Sequence, residues 1–302
     1  MTPTLKRYSF NTMGSLCEIQ IYDESRINAK RIIKQLSTEA ARFEKKYSIY
    51  RGDSTLTDIN NSAGDPLGIK IDSETTALFR HALGCYEQSN GLFDVTAGVL
   101  NRIWDFKKAK APSQQEIDAL LPLVGFSKLS WRNSRLLLPA GMTVDFGGIV
   151  KEYAADAVAK LARTLGVAHG LINLGGDFAV IGPQLDGQAW TVGVANPKQE
   201  QSLMAKIDLL DGGLASSGDY ERFFMHEGKR YSHILNPKTG WPSSGLRAVS
   251  VAANLCTVAG SVATIAMLKE ESDAIAWLQE SGLSHVYMDS NEEVSGVGLK
   301  SD

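Results

Sequence analysis

Cysteine is scarce in this chain. Cys17, Cys85 and Cys256 are its only three among 302 residues, far apart and without a CxxC pair. That pattern offers no disulfide framework, and the three read as small buried hydrophobes. An excess of either charge is also lacking, since 31 Lys and Arg stand against 34 Asp and Glu for a net of -3. No global field is available to hold a phosphate backbone or an anionic membrane, so nucleic-acid binding is not expected. No stretch reaches the roughly 20 apolar residues of a membrane span, and the opening "MTPTLKRYSFNTMG" lacks the apolar core of a secretory signal. A cytoplasmic location is expected, or a periplasmic one if a leader was removed ahead of residue 1. The familiar catalytic signatures are missing too: there is no GxxxxGKS/T, GxSxG or HExxH, and no GxGxxG follows a strand. Kinases, serine hydrolases, zinc proteases and Rossmann dehydrogenases are thereby disfavoured.

What is present is an ordinary globular composition, 43% hydrophobic, in a chain long enough to bury a full core. "SLCEIQIYD" alternates Cys17, Ile19 and Ile21 with polar residues, the period of a half-buried strand. "RINAKRIIKQLSTEAARFEKKY" sets Ile33, Leu36, Ala40, Phe43 and Tyr47 three and four apart, one face of a long amphipathic helix. A second helix fits "SETTALFRHALGCYEQSN", entered through Ser73, and a third Ile149 to Leu165, with Ala154, Ala157, Val158, Leu161 and Leu165 on one face. Beyond Gly166 the texture changes to short β-like runs, "GLINLGGDFAVIG", "AWTVGVA" and "MAKIDLL". "ERFFMHEGKRYSHI" then predicts a hairpin through Glu227-Gly228-Lys229, followed by helices near Cys256–Leu268 and Ser272–Gly282. Strands and helices alternate without a βαβ rhythm, so the class is α+β. No linker or repeat divides the chain, and one domain over 1–302 is expected.

Several polar turns carry candidate chemistry. "VDFGGIVKEYAAD" joins Asp145, a Gly-Gly turn and a helix with Lys151 in its first turn. Such a helix N-terminus suits an anionic group such as a pyrophosphate, but it also suits an ordinary turn in which Asp145 satisfies backbone N–H groups. "LINLGGD" reads first as a turn in which Asp177 is a turn former. "NGLFDVTAGVLNRIWDF" offers Phe93, Asp94 and Thr96 beside Trp104 and Phe106, which is compatible with an aromatic core and a helix cap. His233, in "RYSHILNPKTG", stands apart from the other histidines because Asn-Pro and Thr-Gly behind it dictate a fixed turn. A histidine held against rigid backbone suits proton transfer, and equally suits a plain hydrogen bond to a loop.

Taken together, "NTMGS", "YSIYRGDSTLTDIN", "NGLFDVTAGVLNRIWDF", "VDFGGIVKEYAAD", "LINLGGD", "SSGDYERFF", "YSHILNPKTGWP" and "VATIAML" resemble the ApbE family, the FAD:protein FMN transferases. Each motif is weak alone; eight in order over nearly the whole chain are specific. The resemblance implies an α+β T-fold-like architecture of two tightly packed lobes with an FAD cleft between them. It implies Mg²⁺-dependent transfer of FMN from FAD to a threonine hydroxyl of an acceptor flavoprotein, with release of AMP. Carried over to this chain, Met13, Tyr50, Leu92, Phe93, Asp94, Asp145, Lys151 and Leu235 would contact FAD. The Gly148 carbonyl and the Thr264 hydroxyl would contact the metal, and His233 would be catalytic.

One position departs from the family's pattern. The metal-binding helix of the family resembles E-A-D-A-L-x-T-A, whereas the matching stretch here is "VAGSVATIA". Gly260 stands where that aspartate is expected and Val258 replaces the acidic residue before it. Mg²⁺ favours carboxylate oxygens, so the departure implies a weakened metal site that Gly260→Asp would strengthen. It also keeps two other readings open: an FAD-binding protein with little catalysis, and an FAD pyrophosphatase giving FMN and AMP.

Overall fold

The computed structural model describes residues 3–23, 26–132, 134–199, 202–220, 222–226 and 228–298. Two strands open the chain, β1 (Thr4–Thr12) and β2 (Ser15–Asp23). Their connection, Met13 (φ 50°) and Gly14 (φ 71°), is left-handed at both residues, the conformation that matches strand twist in a two-residue hairpin loop. There follow α1 (Arg26–Tyr47), α2 (Thr55–Asn61), β3 (Ile69–Lys70), α3 (Ser73–Gln88), a 3-10 segment (Val95–Arg102) and α4 (Gln114–Leu120). β4 (Ser130–Arg132) and β5 (Arg135–Leu137) complete a small sheet with β3, ahead of α5 (Val150–Thr164). The second half holds β6 (Gly170–Leu174), β7 (Asp177–Gly182), β8 (Trp190–Ala195), β9 (Leu203–Leu209), β10 (Gly213–Gly218), β11 (Phe223–His226) and β12 (Lys229–Ser232). It ends with β13 (Ala248–Ala253), α6 (Cys256–Leu268), α7 (Glu271–Glu280), β14 (Ser284–Met288) and β15 (Val294–Val297).

The framework is an eight-stranded sheet in the order β1-β2-β6-β7-β10-β13-β14-β15, antiparallel at every pairing. Side chains alternate across it. Leu171, Val180, Leu214 and Val286 point to one face, where the β8–β9 hairpin covers them with Trp190, Val192, Val194, Ile207 and Leu209. Their neighbours Ile172, Ala179, Ile181, Ala215, Val249 and Val251 belong to the main core under the helices. There α1 buries Leu36, Ala40, Phe43 and Tyr47 at the spacing read from the sequence, with Ile33 at the rim. A third cluster joins Val99, Leu100 and Trp104 to Ile117 of α4 and Phe224 of the β11–β12 hairpin.

The mixed α+β class is thus observed, and all three cysteines are buried and free. Differences from the sequence reading are local. Asp72, not Ser73, caps α3, because its carboxylate accepts the Thr75 N–H. The fully buried residues of α5 include Ala155, Ala159 and Ala162, a broader face than the expected stripe, because the helix lies among α1, α6 and the sheet. Of the hairpin loop, Glu227 falls outside the described residues, as does Glu221 of "SSGDYERFF". Among the described residues no helix is long and apolar enough to cross a membrane.

Packing of α5 on α6 sets the geometry that matters most. α6 is apolar nearly all round, as a helix enclosed by a sheet and other helices must be. No side chain of its own N-cap residue, Leu255, closes its first turn. Instead Asp156 of α5 accepts the N–H groups of Cys256 and Thr257, each at 2.9 Å, and the Thr257 hydroxyl at 2.6 Å. One turn along, Gly260 meets Glu152, and another turn along Thr264 meets Gly148. The helices therefore touch at three rungs four residues apart, running antiparallel. Asp156→Ala removes three bonds to a charged acceptor and should cost about 2–3 kcal/mol. A denaturant midpoint that falls accordingly, with an unchanged slope, is the expected result; an unchanged midpoint would mean that water caps α6 equally well.

Candidate functional site

Beside the start of α5, several loops converge. The β6–β7 turn packs so closely on the β1–β2 hairpin that a Cβ on Gly175 would lie 2.6 Å from the Ser15 Cβ and 4.0 Å from the Lys151 Nζ. With φ at 66°, Gly175 is also in backbone that other residues rarely adopt. Met13, immediately before Gly14 and Ser15, is thereby carried to the same edge as Lys151. The Lys151 ammonium forms an ion pair of 3.0 Å with Asp177, whose side chain is 2% exposed. Asp177 is therefore a buried partner that positions Lys151, a role beyond the turn former read from the sequence.

Asp145 comes next. Its Oδ1 accepts the Gly147 N–H at 2.9 Å and its Oδ2 the Asn101 amide at 3.1 Å, while its own N–H is held by the Val95 carbonyl. Burial raises the Asp145 carboxyl above its ordinary value, against the lowering effect of those two bonds and of the Arg222 charge. α2 braces this loop, because the Asn60 side chain both donates to the Val144 carbonyl and accepts the Val144 N–H. α5 then begins at Ile149 with no side-chain cap.

His233 lies within the field of Arg222 and Lys151. Burial lowers its pKa from the ordinary 6.5, and the two cations lower it further, against the Arg222 carbonyl and the Asp219 charge. Its Nδ1 is 3.3 Å from that carbonyl oxygen. An N–H donated there leaves Nε2 as the acceptor, so the ring at neutral pH is a base with a defined direction. The expected rigid turn behind it is observed: Asn236 and Trp241 close the loop, Lys238 N–H bonds the Asn236 side chain, and Leu235 bridges to Pro242.

Gly148 contacts both Phe93 and Thr264; a Cβ there would lie 3.6 Å from the Phe93 ring and 3.8 Å from the Thr264 methyl. The residue pair expected to hold a metal is thus brought together. Among the described residues no three His, Cys, Asp or Glu side chains gather into a metal-binding group. The residues beside this pair that carry oxygen are Thr264 itself and Glu152, which meets Gly260 one turn away.

Some expected residues do other work. Asp94 spends one oxygen on the Thr96 N–H and hydroxyl and the other on the Phe126 N–H, so its carboxylate is a fastening of this loop. Tyr50 is 82% exposed. Leu235 packs with Trp104 and Trp241 in the third cluster. Two concavities of about 290 and 310 Å³ lie elsewhere, one at Pro66, Arg132 and Arg135 and one beside Trp241, Leu268 and Glu270. Neither contains a candidate residue. Arg222 was missed by sequence reasoning; only its position inside "SGDYERFF" hinted at a role. At Gly260 a Cβ would lie 2.5 Å from Cγ and 2.8 Å from Oε1 of Glu152, so Gly260→Asp can strengthen a metal site only if Glu152 first gives way.

Known proteins match this chain in sequence and in fold over most of its length. The sequence profile of the ApbE family matches residues 13–287. The chain is 26% identical over 295 residues to the FAD:protein FMN transferase of Haemophilus influenzae, covering 93% of this chain and 85% of that one. The Vibrio cholerae protein of the same description is 27% identical over 275 residues, covering 88% and 81%. The crystal structure of an ApbE protein from Thermotoga maritima matches with a TM-score of 0.90 at 27% identity over 97% of both chains.

The electrostatics of His233 can be tested directly. Its imidazole should titrate below 6.5 by NMR, and Arg222→Gln should move the midpoint upward by removing a nearby cation. Because the folded pKa is the lower one, this group's contribution to stability is lost as pH falls from above 6.5 toward the folded value, where the unfolded chain binds the proton first. An unmoved midpoint in Arg222→Gln would leave burial and the Lys151 charge as the causes.

Proposed function

The chain belongs to the ApbE family, and we propose that it is an FAD:protein FMN transferase that uses FAD and Mg²⁺ to modify a threonine of an acceptor flavoprotein. On this reading FAD occupies a cleft between two packed lobes of a single domain spanning 1–302. The observation that carries the proposal is the convergence of the Met13 turn, Lys151, Asp145, His233, and the Gly148 and Thr264 pair around the start of α5.

The reaction joins the threonine oxygen to the FMN phosphorus and breaks the phosphoanhydride bond to AMP. Phosphoryl transfer of this kind depends mainly on positioning and on charge neutralisation. The uncapped first turn of α5 and the Lys151 ammonium suit the pyrophosphate, and Lys151 is held in direction by Asp177. Arg222 adds a second cation at the same edge. Asp145 fastens the loop through Gly147 and Asn101 and offers a polar contact to FAD. His233, kept neutral by its surroundings, takes the proton of the threonine hydroxyl on Nε2 as the new bond forms. The donor set of Gly148, Thr264 and a neighbouring carboxylate is all oxygen, which fits a hard cation such as Mg²⁺. When bound, that ion supplies charge neutralisation on the phosphates.

The deciding experiment incubates the protein with FAD, Mg²⁺ and a threonine-containing acceptor peptide. Covalent FMN on the peptide is expected; free FMN with AMP would indicate a hydrolase, and unchanged FAD a binding protein. His233→Ala should retain the fold and FAD binding but slow transfer by about 10²–10⁴-fold, and wild-type turnover would remove His233 from the mechanism. Asp145→Ala should weaken FAD binding in calorimetry; unchanged affinity would make Asp145 purely structural.

A further inference from the structure

Glu152 sits in the first turn of α5, where an acidic residue ordinarily faces solvent and favours the helix dipole. Here it is 6% exposed and turned onto α6. Its Cγ, Oε1 and Cδ lie 2.5, 2.8 and 2.9 Å from the point where residue 260 would carry a Cβ. An aspartate's oxygens stand about 2.4 Å from its own Cβ, by ordinary bond lengths. The Glu152 side chain therefore fills space that any side chain at 260 would need, with its carboxylate within about one bond length of where an aspartate's would reach. Gly260, a helix breaker inside a buried helix, is what lets it in.

We propose that Glu152 is the carboxylate ligand of the divalent-cation site, reaching across from α5 to replace the side chain that α6 lacks at Gly260. This rests on the transferase reading. One rung away on the same interface Gly148 faces Thr264, whose methyl would lie 3.8 Å from a Cβ on Gly148; the Gly148 carbonyl and the Thr264 hydroxyl are the oxygens these two residues can offer. Thr264 lies one turn beyond Gly260 on α6, and Gly148 lies four residues before Glu152, just ahead of α5, so the three residues line a single seam. A hard cation takes such a set readily and completes its shell with water and substrate phosphate oxygens. The departure from the family's helix is then an exchange of which helix provides the carboxylate, with the charge retained.

Mn²⁺ binding, followed by electron paramagnetic resonance on the full chain with and without FAD, tests this without relying on turnover. Glu152→Gln preserves shape and removes the charge; it should weaken Mn²⁺ at least tenfold while FAD affinity in the absence of metal is unchanged. Gly260→Asp alone should lower the melting temperature, because its side chain collides with Glu152. The double variant Glu152→Gly with Gly260→Asp should relieve the collision and recover Mn²⁺ affinity to within a few-fold of wild type. If Glu152→Gln does not fold, the double variant decides: recovered affinity supports the exchange, and a folded double variant that binds no Mn²⁺ overturns it. Wild-type Mn²⁺ affinity in Glu152→Gln overturns the role of Glu152 and leaves the transferase reading intact. A wild-type protein that binds FAD but no Mn²⁺ also overturns it, and one that binds neither overturns both.

Discussion

The carboxylate of Asp156 holds two helices in register, and the candidate site depends on that register. α6 has no side-chain cap of its own, so the position of its first turn is set by a residue of α5. An antiparallel helix pair fixed at one end is fixed in phase along its length, since each rung advances both helices by about 6 Å. The second rung places a glutamate on a glycine and the third a glycine on a threonine. Small residues alternate sides along the seam, which lets the two backbones approach closely while leaving room for polar groups between them.

Charge is distributed with similar economy. The chain as a whole is nearly neutral, yet Lys151 and Arg222 act together on His233. Lys151 is reached through α5 and Arg222 through the segment before β11, so the local positive field forms only when the two halves of the chain come together. Asp177 steadies the lysine from within the sheet, and Asp219 ties Arg230 and Arg247 behind the same segment. A histidine in that field stays unprotonated without any dedicated carboxylate partner.

How much of this was legible in the sequence varies with the physics. α1 could be read to the residue because apolar spacing over several turns has one explanation, and α6 because a run of apolar and small residues over three turns and more is too long for an ordinary strand. The β11–β12 hairpin was legible from its alternation and its glycine. β10, β13 and α2 were not, since "GLASSG" and "AVSVAA" are small-residue runs without period and "TLTDINN" is two turns long. Among candidate site residues, His233, Asp145, Lys151, Gly148 and Thr264 were singled out through motifs in order. Asp177 and Glu152 were not, because a carboxylate after Gly-Gly or in a helix's first turn has a common surface explanation, and only tertiary packing turns these two inward. Arg222 was hidden for another reason: an arginine before a strand carries no periodic or spacing signal.

The strands of the large sheet follow one another across it in the same order as along the chain, from β1 at one edge to β15 at the other. No strand has to be threaded between two that are already paired. As the chain leaves the ribosome, each new strand can add to an edge that exists, and the helices can settle on the face as their strands arrive. Met13 emerges well before Thr264. A nascent chain can therefore carry most of its sheet while the candidate site still lacks Thr264, and the site is completed only when α6 docks.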